Sequence, residues 1–121
     1  MLEKERFIEM MKARTKKFAV DVIHFCDSLE KSRSVSVITY QLIKSATSTA
    51  ANYRAACRAR SKKEFFSKIC IVVEEVDETE FWLELIKDAN LTKEEEVLEK
   101  LLIESLELIK IMSKAKSSSY N

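Results

Sequence analysis

A chain of 121 residues with neither glycine nor proline has few ways to turn sharply. Two-residue β-hairpins need positive φ, which glycine supplies without steric cost, and most tight turns favour one of the two missing residues. A β fold of this length is therefore excluded in practice. Long helices joined by short polar connections remain. The hydrophobic share of 46% and charged share of 34% fit one globular domain able to bury a core without staples or metals.

The apolar spacing predicts four helices. The first spans about residues 2–29, with Phe18, Val22, Phe25 and Leu29 at steps of four, three and four. Phe7 and Met11 extend this inward stripe, and Arg14 and Thr15 read as a polar interruption. The polar stretch 30–34 breaks the pattern and offers serines as caps. A second helix over about residues 35–58 carries Val35, Ile38 and Leu42, then Ala46, Ser48, Ala50, Ala51, Ala55 and Ala56. Such small side chains suit close helix contact. Ser61-Lys62-Lys63-Glu64 reads as a capping box opening a third helix. Its seam of Phe65, Ile69, Val72, Val76, Thr79, Leu83 and Ile86 alternates steps of four and three. Asn90 suits the left-handed position that ends this helix. Thr92-Lys93-Glu94-Glu95 reads as a second box. The fourth helix then presents Leu98, Leu101, Leu102, Ser105, Leu108, Ile109 and Met112. The expectation is an all-α, up-down-up-down antiparallel four-helix bundle over residues 1–116, with residues 117–121 a frayed polar tail.

Chemistry is sparse. The single histidine, His24, sits three residues after Asp21, a spacing used in di-iron bundles. Those need two such pairs and further inward carboxylates, so no metal or other cofactor is expected. His24 and Cys26 point about 200° apart on a helix, which removes a nucleophile pair. Without glycine there is no phosphate-cradling loop. Catalysis is disfavoured. The odd number of cysteines, Cys26, Cys57 and Cys70, within helical patterns suits small buried thiols in a reducing compartment. With no bilayer-length apolar run and no signal-type apolar block near the N-terminus, this points to a cytoplasmic protein that engages no membrane.

The net charge of +1 hides a polarity that the bundle topology would reveal. One pole would gather residues 1–17, 46–72 and 107–121. It holds fifteen cations against five anions, a net +10, and the remainder of the chain carries −9. Clustered lysine and arginine release counterions from nucleic acid, whereas the bland reading is solvation of helix ends. Helix dipoles account for part of the pattern only, since Lys62 and Lys63 at a helix start oppose the dipole. Arg54, Arg58, Arg60, Lys62, Lys63 and Lys68 are the candidate phosphate contacts. No aromatic cluster lies among them in sequence, so weak base preference is expected. The acidic pole could instead receive a basic protein, which makes a protein-interaction module without nucleic-acid binding the alternative. Phe66, Val73 and Trp82 widen the apolar face of the third helix and are candidate contacts for self-association.

The run Gln41 to Ala56, QLIKSATSTAANYRAA, together with SKKEF at residues 61–65 and EEVDETEFWLEL at 74–85, resembles the bacterial four-helix-bundle proteins encoded in intervening sequences of large-subunit ribosomal RNA genes. Ala46 and Ala50 stand where many members have glycine. The resemblance implies a small bundle that forms a ring, commonly a homopentamer. It also implies a distant likeness to accessory proteins of diversity-generating retroelements, which bind nucleic acid and a reverse transcriptase. It supplies no catalytic residues. It marks Asn52, Tyr53 and Arg54 as candidate functional positions, against the simpler reading that Asn52 satisfies nearby backbone and Tyr53 packs.

Overall fold

The computed structural model describes residues 2–120. Four helices follow one another: α1 (Glu3–Asp27), α2 (Arg33–Cys57), α3 (Lys62–Asp88) and α4 (Glu95–Ser118). Each packs against its sequence neighbours, and α1 closes on α4 through the sparsest of the four interfaces. The connections are four to six residues long, too short to cross the bundle, so successive helices run antiparallel. The all-α up-down bundle expected from the sequence is the fold observed.

The core follows the apolar stripes. Val22 and Phe18 of α1, Leu42 and Ala46 of α2, Ile69, Val76 and Leu83 of α3, and Leu108 and Met112 of α4 are buried. Thr15 belongs with them rather than interrupting them. Its hydroxyl donates to the Met11 carbonyl at 2.9 Å, which satisfies the group inside its own helix and leaves a methyl for the core. Ser45, Thr49, Thr79 and Ser105 are buried in the same manner. Thr79 Oγ1 also lies 2.9 Å from Ser45 Oγ. The Ser45 proton goes to the Leu42 carbonyl, so the threonine shares its own across the α2–α3 interface. Phe7 departs from expectation, being about half exposed at 46%. At its level the facing wall of α4 narrows to Ala115, and a cavity replaces the core.

Helix ends show what local sequence controls. Ser32 and Ser61 cap α2 and α3, accepting from the Val35 and Glu64 amides at 3.1 and 3.0 Å. The return arm of the Ser61 box is missing, because Glu64 turns toward Arg60 instead, at 3.8 Å. Asn90 takes φ 55°, and the Leu91 amide reaches back to the Ile86 carbonyl at 3.0 Å, a Schellman ending. The expected box at Thr92 does not form. Leu91 packs against the core, Thr92 Oγ1 accepts from the Glu94 amide at 2.9 Å, and α4 begins at Glu95. The C-terminal serines are more ordered than a frayed tail, since α4 continues through Ser118. The Tyr120 ring meets Phe66 edge-on at 5.6 Å. Met1, and Asn121 of the expected tail, lie outside the described residues.

Candidate nucleic-acid interface

The α2–α3 connection, residues 58–61, brings the candidate cations to one end of the bundle. Arg54 in the last turn of α2 and Arg58, the C-cap residue that follows it, are both exposed at that helix end. No aspartate or glutamate occurs anywhere in α2. Arg60 and Lys62 lie at the mouth of a single cavity. Lys63 is exposed, whereas Lys68, two turns into α3, is half-buried. The six therefore share a pole but form no single plane: one pair lies at the end of α2, another pair at the end cavity, and two residues on α3. The Arg60 side chain is 91% exposed and makes only a 3.8 Å contact to Glu64.

Some other cations of the same pole are engaged in ion pairs, whereas Lys4, Arg6, Lys16, Lys110, Lys114 and Lys116 make none among the described residues. Arg14 makes a two-pronged contact with Glu104 of α4, both arms at 2.7 Å, and reaches Glu107 at 2.8 Å. Hydrogen bonds to Glu104 and then Glu107 hold this guanidinium charged well beyond its ordinary range. The arrangement clasps α1 to α4 across the sparsest interface, so Arg14 serves the fold. Lys12 pairs with Glu9 at 2.8 Å.

The two central candidates divide. Asn52 donates through Nδ2 to the Ser48 carbonyl and to Ser48 Oγ, both at 2.9 Å, so its amide is satisfied within α2. Tyr53 is buried at 4% exposure and lines the end cavity. Burial pushes its phenol above the usual range, with the neighbouring Cys57 adding to the effect.

That cavity is the feature sequence reasoning missed. It has a volume of about 690 Å³ and gathers Phe7 from α1, Tyr53 from α2, Phe65 from α3 and Ile111 from α4. Three aromatic rings thus stand beside Arg60 and Lys62, although they are scattered in sequence. Only the register of four antiparallel helices brings them together, which no local pattern signals.

The opposite pole is acidic. Glu80 and Glu84 of α3 lie one turn apart, and Glu80 Oε2 is buried without a hydrogen-bond partner. Desolvation, then the neighbouring Glu84 carboxylate, push the Glu80 carboxyl above the usual range. Glu75 is raised as well, by burial and by Glu78, with Lys44 opposing.

The expected self-association contacts do not share a face. Phe66, Val73 and Trp82 are all half-buried, but Val73 and Trp82 are nine residues apart, about 180° around the helix. Phe66 faces the end of α4, where Tyr120 meets it. Trp82 carries Phe81 edge-on at 5.0 Å, and Phe81 is 53% exposed. Val37 and Tyr40 on α2 and Ile103 on α4 are more exposed still, and Met10 and Val20 add to them on α1, so exposed apolar surface is spread over all four helices. Asp21, the residue paired with His24 by spacing, is held by Lys17 at 2.6 Å. Among the described residues no group of three or more histidine, cysteine, aspartate or glutamate side chains is placed to hold a metal. No helix of the described residues is long and apolar enough to cross a membrane.

The chain matches the family model of the 23S rRNA-intervening sequence proteins over residues 9–114. It is also similar to the crystal structure of a protein of unknown function from the S23 ribosomal protein family of Bacteroides thetaiotaomicron VPI-5482. The two are 32% identical and superpose with a TM-score of 0.76, the match covering 87% of this chain and 96% of that one. No curated protein matches it. With the QLIKSATSTAANYRAA segment in α2, the capped SKKEF start of α3 and a family match running from the first helix into the last, the chain belongs to the 23S rRNA-intervening sequence protein family.

Proposed function

We propose that this protein is a non-catalytic, self-associating scaffold that binds the backbone of RNA or DNA through its basic pole, as an accessory to an RNA- or retroelement-related process. The observation that carries the reading is the convergence of Arg54, Arg58, Arg60, Lys62 and Lys63 on two adjoining helix ends, with Arg60–Glu64 at 3.8 Å the single ion pair among them in the described residues. Cations already neutralised by tight pairs, such as Arg14, have little to offer a phosphate. These five can exchange water and counterions for phosphate oxygens. Self-association would multiply the effect, because several weak basic poles on one assembly act together on a single strand. A reverse transcriptase or another basic protein is the partner suited to the acidic pole.

Fluorescence anisotropy with a labelled single-stranded RNA and a duplex DNA tests the reading. Reversal of Arg58 and Arg60 to glutamate should weaken binding to both nucleic acids by at least about tenfold at low salt. Equal affinity of the wild-type and reversed proteins would refute it.

A further inference from the structure

The end cavity has a composition that phosphate-backbone binding does not use. Its floor is Tyr53, Ala56 and Met112, all buried, and its walls include Phe65, Ile111 and Ala115, half-buried. The polar lining residues with charge, Lys4, Arg60 and Lys62, are all exposed and stand at the mouth. No carboxylate lines the cavity. Interiors normally close-pack. Here Ala56, Ala59 and Ala115 put small side chains at the end of the bundle, and about 690 Å³ stays open. That volume lies within the range of pockets that hold small organic ligands.

The geometry points to a binding site for a single-chain amphiphile with an anionic head, such as a medium-chain fatty acid. The hydrocarbon tail lies on the alanine, methionine and isoleucine surface, and the head meets Lys4, Arg60 and Lys62. A nucleobase is the wrong occupant for the floor. Its ring nitrogens and carbonyls would be desolvated, and Tyr53 and Cys57 are the two polar side chains that line the floor, fewer partners than a base edge requires. Of the serines near the mouth, Ser61 caps α3 and Ser119 donates to the Lys116 carbonyl at 3.0 Å, while Ser118 is exposed to solvent. A saturated tail demands no polar partner.

Isothermal titration calorimetry with octanoate, decanoate and dodecanoate, each below its micellar concentration, tests the site. Dodecanoate should bind one per chain, and affinity should rise about fourfold for each added methylene while the tail still finds apolar wall. Dodecanol, without the anion, should bind at least about tenfold more weakly. Ala115→Trp, which fills the cavity from a half-buried position, should abolish binding while circular dichroism shows an unchanged helix content. Lys62→Glu should weaken dodecanoate and leave dodecanol unaffected. Affinity independent of chain length overturns the proposal. So does dodecanoate binding that survives Ala115→Trp in a folded protein, or adenosine monophosphate outcompeting dodecanoate. The RNA affinity of Ala115→Trp should equal that of the wild type, so the site stands or falls separately from nucleic-acid binding.

Discussion

Arg14 and Glu80 show how single residues acquire roles that their sequence positions do not announce. Arg14 interrupts an apolar stripe, and in sequence it counts as one more basic-pole cation. Its partners Glu104 and Glu107 lie about ninety positions away, so only the closed bundle reveals a clasp. Arg14→Met should lower the unfolding free energy by about 1–2 kcal/mol, since it leaves two carboxylates facing each other beside α1. Urea denaturation measures this. Glu80 is the opposite case, a charge that the fold disfavours. Its folded-state carboxyl titrates above the ordinary glutamate value, so the folded protein holds the proton more tightly than the unfolded chain. The associated stability is fully present below the ordinary glutamate value and is lost as pH rises through the raised one. Glu80→Gln should therefore stabilise the protein slightly at pH 7, by less than about 1 kcal/mol once solvent screening is counted, and its advantage should shrink toward pH 4. Thermal melts across that range check it, and parallel pH profiles for the two proteins would contradict it.

At the scale of the helix, legibility depended on whether the signal was local. Seam residues from Ile69 to Ile86 are spaced by helix geometry alone, and all of them are buried. Ser61 and Asn90 act through neighbouring backbone, and both do what their types imply. Thr92 had the same local credentials, yet Leu91, drawn into the core, delays the start of α4. Wheel position explains why Phe66, Val73 and Trp82 read as one patch and are not: counting apolar residues widens a face without saying on which side. Two substitutions separate local from tertiary control. Ser61→Ala should cost about 1 kcal/mol through loss of the cap. Thr92→Ala should cost less, because its hydroxyl meets one exposed amide, Glu94, outside the helix. Equal losses in chemical denaturation would show that cap geometry is not what distinguishes them.

For the molecule as a whole, topology turns a nearly neutral chain into a polarised rod. The sequence displayed this polarity once the helix order was assumed, because antiparallel neighbours bring residues 54–63 and both chain ends to one pole. What it could not display was the cavity at that pole, whose lining comes from all four helices. Exposed Val37, Tyr40 and Phe81 give the assembly proposed above apolar surface to bury, and opposite poles on identical subunits can steer head-to-tail contacts that close into a ring. Light scattering at micromolar concentration and physiological salt should give a mass several times 14.0 kDa, five-fold for a pentamer. A mass equal to one chain would remove the ring and leave the bundle intact. The most direct test of the central claim is the salt dependence of RNA affinity, measured by anisotropy from about 50 to 200 mM monovalent salt. Phosphate binding by the basic pole should give a linear fall of log affinity with log salt, and a slope that shallows by about one to two units when Arg58 and Arg60 become glutamate. A flat profile in the wild type, or a slope unchanged by the reversal, would contradict a phosphate-binding basic pole.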